Sequence, residues 1–149
     1  MSKTTENYDL ETIRHSAAHL MAQAVKQLYP ETKVTIGPVI EDGFYYDFSR
    51  EQPFVPEDLE KIEALMKEIV AKDLEIVRQE LPRADALKMF DSLGESFKKE
   101  IIDDIDSDQA LSVYTQGEFT DLCRGPHVGS TKDLKSFKLL HTSASYWRG

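Results

Sequence analysis

Two short motifs gather the residue types that do chemistry in this chain: His15-Ser-Ala-Ala-His19 near the start and Cys123-Arg-Gly-Pro-His127 near the end. Together they hold three of the four histidines and the only cysteine, side chains that ligate metals or move protons. His15 and His19 stand at i, i+4, the spacing that puts two side chains on one face of a helix. Cys123 and His127 straddle Gly125-Pro126, a dipeptide that forces a turn and can fold both toward one point. Widely separated in sequence, the two pairs look like halves of one site.

Each motif has a plainer reading. Histidines at helical spacing on a polar face are usually solvated, and a lone cysteine is ordinarily inert packing. The coincidence of both pairs is what favours a site. His15, His19, Cys123 and His127 could close a tetrahedral zinc site, which would be structural; a catalytic zinc needs one position left to water. The same cluster also works without a metal, a histidine acting as general base on water while Cys123 and His127 position a substrate. Asp121 lies two residues before Cys123, so in a strand both would face one side. It could anchor a substrate amine or orient a histidine, or be a plain strand-end carboxylate. On spacing alone Lys98 reads as a surface lysine, Tyr45 and Tyr46 as packing, and His141 has no role.

These residues must be positioned by a chain of 149 residues, enough for one domain with a sizeable core. A hydrophobic fraction of 40% and a charged fraction of 30% are ordinary for a soluble globular protein. No apolar run is long enough to span a membrane, and residues 1–8 do not resemble a secretory signal. A single cysteine rules out an internal disulfide framework and fits a reducing cytoplasm. The net charge of -9 argues against a broad electrostatic grip on nucleic acid, so any such contact must be local.

Residues 1–9 read as a flexible lead-in whose Asp9 caps a helix from Leu10 to about Tyr29, ended by Pro30. Its apolar stripe is Ile13, Ala17, Leu20, Met21, Ala24 and Leu28; His15 and His19 point away from it, beside the small Ala18 and Ala22. Lys33–Ile40 reads as a strand, Asp42-Gly43 as a hairpin turn, and residues 44–48 as the aromatic return strand, covered on both faces. Pro56 opens an amphipathic helix through Val70, followed by a strand at 75–79. A Pro82-initiated helix runs to Leu93 and is closed by Gly94; 96–102 is a short helix or strand end. Asp103, Asp104, Asp106 and Asp108 form an acidic surface loop. Residues 110–114 and 118–122 pair across Gln116-Gly117, and 136–147 is another strand pair or edge. Interleaved helices and strands make the class α+β: a single domain, an antiparallel or mixed sheet packed with helices, one of them long and histidine-bearing.

Further segments join the two motifs in order: Ile36-Gly-Pro-Val39, Gly43-Phe-Tyr-Tyr-Asp47, Asp121-Leu-Cys-Arg-Gly-Pro-His127 and Tyr146-Trp-Arg-Gly149. From about Thr12 to Gly149 the chain resembles the editing domain, or second additional domain, of bacterial threonyl-tRNA synthetase. More distantly it is similar to the alanyl editing domains and the free-standing alanyl editing proteins. The resemblance implies that 10–149 is an aminoacyl-tRNA editing domain that hydrolyses serine mischarged onto the 3′ acceptor end of tRNA(Thr) in the cytoplasm. His15 and Lys98 would be nearest the water and ester, while His19, Cys123 and His127 would shape the pocket. Asp121 would face the amino acid's ammonium, with Tyr46 and Tyr45 toward the substrate. The alanyl relatives bind zinc at His15, His19, Cys123 and His127; the threonyl enzymes work with water, so no metal is expected to be obligatory. Two departures accompany the match: no small ubiquitin-like domain precedes it, and the chain stops where the family's catalytic domain would begin. The expectation is a piece of a longer threonine–tRNA ligase, whose missing part would use ATP, grip the tRNA and form the homodimer. Ser143-Ala144-Ser145 also replaces the usual glycine-containing triplet. The alternatives are a free-standing, zinc-dependent hydrolase of the alanyl type and a non-enzymatic, zinc-stabilised module.

Overall fold

Asp9 starts the first helix, α1 (Leu10–Leu28), by accepting hydrogen bonds at Oδ1 from the Thr12 backbone N–H at 3.2 Å and from its hydroxyl at 2.6 Å. The computed structural model describes residues 8–35, 39–40, 43–50, 52, 54–104, 111–123, 125–134 and 137–139. Within the expected lead-in, the Tyr8 hydroxyl accepts from Gly129 N–H at 3.0 Å, so the chain is fixed just before the helix begins.

After α1 come β1 (Lys33–Val34), β2 (Val39–Ile40), β3 (Gly43–Phe44) and β4 (Phe48–Ser49). β2 and β3 pair antiparallel with Ile40 opposite Gly43, which is the register of the expected hairpin; its turn residues 41 and 42 lie outside the described residues. The single strand expected at 33–40 is instead two short strands with different partners, because β1 pairs with β4 rather than β3. Residues 45–47 are irregular, and Tyr45 is 42% exposed, so the aromatic segment is covered on one side only at that position.

Helix α2 (Pro56–Ala71) has proline in its first turn, and Asp58 accepts at Oδ2 from the Val55 N–H, tying the helix start together. Its Ile62, Met66 and Ile69 pack on Leu20, Ala24 and Val25 of α1. Strand β5 (Ile76–Leu81) follows, then α3 (Arg83–Ser92) and α4 (Ser96–Asp103). Gly94 takes a left-handed φ of 73° at the end of α3, where a side chain would be strained. The segment 96–102 is therefore helix. Of the acidic run, Asp103 ends α4 and Asp104 is in a turn, while Asp106 and Asp108 lie outside the described residues.

β6 (Leu111–Gln116) and β7 (Phe119–Leu122) form the expected antiparallel hairpin, turning at Gly117-Glu118, and the sheet order is β5-β6-β7. Ala86, Phe90 and Ile102 of α3 and α4 pack against Leu111 and Val113 of this sheet. Residues 137–139 have no regular structure, and the rest of the expected strand at 136–147, with His141 and the 143–145 triplet, lies outside the described residues. The architecture is α+β, as expected.

The second face of α1 decides the site. Ala18 and Ala22 are fully buried against Val34, Tyr46 and Phe119, because methyl side chains let that layer close on the helix. α1 is thus covered on two sides. The histidines do point away from the α2-facing stripe, but into a second buried layer rather than into solvent.

Candidate active site

The two motifs meet. The His15 and His127 rings stack with centroids 5.7 Å apart and planes 28° apart, and the His19 and His127 centroids lie 4.3 Å apart. His127 Nε2 is 3.2 Å from Cys123 Sγ, and Sγ also accepts from the Gly125 N–H at 3.3 Å. One turn of loop folds cysteine and histidine together. Gly125-Pro126 is a cis peptide, and Gly125 has φ 79°, in the left-handed region. A Cβ there would lie 1.9 Å from the Tyr114 hydroxyl, so glycine is required on both counts.

His15, Cys123 and His127 present donor atoms that all lie within 4.8 Å of one another, a set suited to an ion with three protein ligands and an open position. His19 is not one of this set. Its Nε2 lies 3.5 Å from Asp121 Oδ2, and its ring edge meets Phe119. The described geometry therefore gathers three of the four expected metal donors and turns the fourth toward a carboxylate.

Asp121, on β7, is the hub of a second cluster. Oδ1 is 2.7 Å from Lys98 Nζ and accepts from the Leu122 N–H at 2.8 Å; Oδ2 accepts from the Tyr46 hydroxyl at 2.6 Å. Asp121 and Lys98 are 1% and 3% exposed. The surface lysine expected from spacing is thus a buried cation, delivered by α4 to a carboxylate on a different element. Of the two tyrosines, Tyr46 is buried in this cluster and Tyr45 is turned outward. Of the roles open to Asp121 from sequence, histidine orientation matches its contact with His19.

Burial sets the protonation states. It pulls His127 down to about 2, with His19 and His15 adding to the effect, and His19 down to about 4 against the opposing pull of Asp121. Burial alone would raise the Asp121 carboxyl, but Lys98, then His19, together with hydrogen bonds, carry it below the usual carboxylate value. Burial pushes the Cys123 thiol up, only partly offset by the Gly125 N–H, and holds the Tyr46 phenol well above its usual range. At neutral pH the site contains two neutral imidazoles, a thiol and one internal ion pair. A raised thiol beside an imidazole that resists protonation is not an activated nucleophile. The arrangement favours water as the attacking group.

Sequence reading missed Ser16, although it stands inside the first motif. Its Oγ lies 2.9 Å from His127 Nδ1 and accepts from the Val128 N–H at 3.0 Å. Its place between two candidate histidines was the only signal the sequence offered; its full burial is seen only in the structure. Tyr114, whose ring lies edge-on to His127 at 4.4 Å, was likewise not singled out.

Comparison with known proteins agrees with these motifs. Residues 111–146 match the threonyl and alanyl tRNA synthetase second additional domain. The chain is 60% identical over 140 residues to threonine–tRNA ligase of Methylobacillus flagellatus, covering 94% of the chain and 22% of that protein. It is 59% identical over 147 residues to threonine–tRNA ligase of Legionella pneumophila (strain Corby), covering 97% of the chain and 23% of that protein. The chain thus spans less than a quarter of the length of these relatives.

Proposed function

The chain corresponds to the stretch of threonine–tRNA ligases that carries the second additional domain, and from that premise we propose that it is a proofreading hydrolase for seryl-tRNA(Thr). The observation that carries this reading is the convergence of His15, Cys123 and His127 beside the buried Lys98–Asp121 pair. The need for such a reaction is physical. Serine lacks one methyl of threonine, and a missing methyl gives a synthetic pocket only roughly 10–200-fold discrimination. A second, tighter pocket that rejects the methyl can remove the smaller product.

In the reaction, water oxygen bonds to the ester carbonyl carbon and the bond to the ribose oxygen breaks. One proton leaves the water and one goes to the ribose oxygen. His15, half-buried at the edge of the cluster, is assigned to the water, and Lys98 to the neighbourhood of the ester. His19, Cys123 and His127 wall the pocket. The serine ammonium is assigned to Asp121, with Tyr46 beside it. That ammonium must compete with Lys98, Tyr46 and the Leu122 N–H, which already fill the carboxylate. Tyr45, at the exposed side of Tyr46, is assigned to the outer part of the substrate.

On this reading no metal is required. If zinc is bound, His15, Cys123 and His127 would hold it, and it would supply a Lewis acid that eases deprotonation of water. The closeness of those three donors is the one observation favouring the alternative, a zinc-dependent alanyl-type hydrolase or a zinc-stabilised module. The parent ligase would carry ATP-dependent threonylation, the main tRNA grip and the dimer contact, in the cytoplasm. Among the described residues no helix is long and apolar enough to cross a membrane.

The deciding experiment is deacylation of seryl- against threonyl-tRNA(Thr) by this chain, with and without a chelator. Selective, chelator-insensitive loss of serine is expected. Chelator-dependent hydrolysis of alanine from its mischarged tRNA would replace this reading with the alanyl type. Chelator-induced unfolding with no hydrolysis would leave the zinc module.

A further inference from the structure

We infer that Glu95 is a positioning residue for Lys98: its buried carboxylate latches the start of α4 to α1 and β1, and so fixes where the lysine ammonium is delivered. Because Lys98 belongs to the candidate site, this role deepens the proposed hydrolase reading and rests on it.

Glu95 stands directly before α4, where a side chain ordinarily caps a helix by accepting from its first N–H groups. Its carboxylate makes no such bond and turns to other elements instead. Oε1 accepts from the Val34 N–H on β1 at 2.9 Å, and Oε2 lies 2.7 Å from Lys26 Nζ on α1. That ammonium also donates to the Thr32 carbonyl at 2.8 Å. One pair of charges thus ties α1, the turn after it and β1 to the start of α4. Beside it, Lys33 Nζ donates to the Gly94 carbonyl at 3.0 Å.

Packing does not explain a carboxylate in this place. Glu95 is 4% exposed, and burying an ion pair adds little stability because desolvation offsets the attraction. Two directed bonds on two oxygens supply orientation, which an apolar contact does not. Helix α4 has eight residues, too few to hold its place by helical propensity, and its buried side chains are Lys98 and Ile102. Lys98 comes three residues after Glu95, about one turn along the helix. From there its side chain must cross to β7 and end 2.7 Å from Asp121 Oδ1. A tilt of α4 about Ile102 would carry Lys98 off that carboxylate, and Glu95 holds the opposite end against such a tilt. The Glu95 charge also acts on Tyr46, whose hydroxyl donates to the other Asp121 oxygen. The pairs Lys26–Glu95 and Lys98–Asp121 are consecutive links that hold α1, α4 and β7 in register around the site.

Proton–nitrogen NMR of the lysine ammonium groups reads Lys98 without any substrate, its signal being assigned by its absence from the Lys98→Met, Asp121→Leu protein. In Glu95→Ala the Lys98 signal is expected to move toward that of a solvated lysine, with faster proton exchange. Glu95→Gln keeps an oxygen for the Val34 N–H but loses the charge facing Lys26; its change should run in the same direction and be smaller. Ile102→Val, which loosens the other end of α4 by packing alone, should leave the signal in place. An unchanged Lys98 signal in either folded Glu95 variant, or an equal change in Ile102→Val, overturns the proposal, so it stays decidable if Glu95→Ala does not fold. On seryl-tRNA(Thr), Glu95→Ala should lower kcat roughly 10- to 100-fold with KM little changed, the scale of a misplacement of about 1 Å at a reacting centre. An unchanged kcat also overturns it. If the Lys98 signal responds as stated but the wild-type chain deacylates nothing, the hydrolase reading fails and the positioning by Glu95 stands.

Discussion

Lys98 Nζ lies 2.7 Å from Asp121 Oδ1, and the pair is closed off from solvent between helix α4 and strand β7. A charge pair buried this way is not by itself a source of stability, since desolvation offsets the attraction. Its consequence is that neither member can be removed alone.

Lys98→Ala leaves Asp121 as an uncompensated buried carboxylate and is expected to destabilise the chain by about 3–5 kcal/mol. Urea unfolding measures it. Lys98→Met combined with Asp121→Leu should recover most of that loss while abolishing hydrolysis. A double variant no more stable than Lys98→Ala would show that the ion pair is not the cause. The loss of activity in Lys98→Ala must accordingly be read beside its stability.

Gly125→Ala meets two separate obstacles. The left-handed backbone costs an L residue roughly 1–2 kcal/mol, and crowding against Tyr114 adds roughly 1–3 kcal/mol. Removing the hydroxyl in Tyr114→Phe would not rescue it, because the ring Cζ would still lie 2.6 Å from the new Cβ. Thermal unfolding of the single and double variants checks this; full recovery in the double would contradict the geometry.

Stability should fall on mild acidification. His19 and His127 have folded values of about 4 and about 2, below the unfolded value of about 6.5, so the unfolded chain binds more protons between these limits. The contribution is fully present above pH 6.5. It is lost as pH falls, at up to about 1.4 kcal/mol per pH unit for each histidine. A urea midpoint that stays level from pH 7 to pH 5 would refute this.

Zinc, offered to the chain in competition with a chelator, discriminates the donors. Alanine at His15, Cys123 or His127 should weaken any uptake at least tenfold, whereas His19→Ala should not, since His19 faces Asp121 instead. Equal loss at all four positions would restore the four-ligand set expected from the resemblance.

Much of the fold was legible in the chain. Helix α1 follows from the Asp9 cap and the stop at Pro30, α2 from its Pro56 start and apolar spacing, and β6–β7 from alternation about a glycine turn. The region 33–49 was less legible. Its apolar and aromatic residues allow one long strand or several short ones, and the choice is made by β1 pairing with β4 rather than by local propensity. The meeting of the two motifs was also inferable, because residue types with complementary chemistry are informative without coordinates.

What the sequence determined by itself was therefore local: periodicity, caps, turns, and which side chains could act. What only the tertiary structure decided was the partner of each one. Lys98 looks like any exposed lysine until α4 is laid against β7, and His15 and His19, both beside His127, look equivalent until His19 is found against Asp121. Ser16 reaches His127 across 111 positions of chain. Burial and hydrogen bonding depend on which surfaces are brought together, and helix or strand periodicity fixes a side chain's direction but not what it will find there.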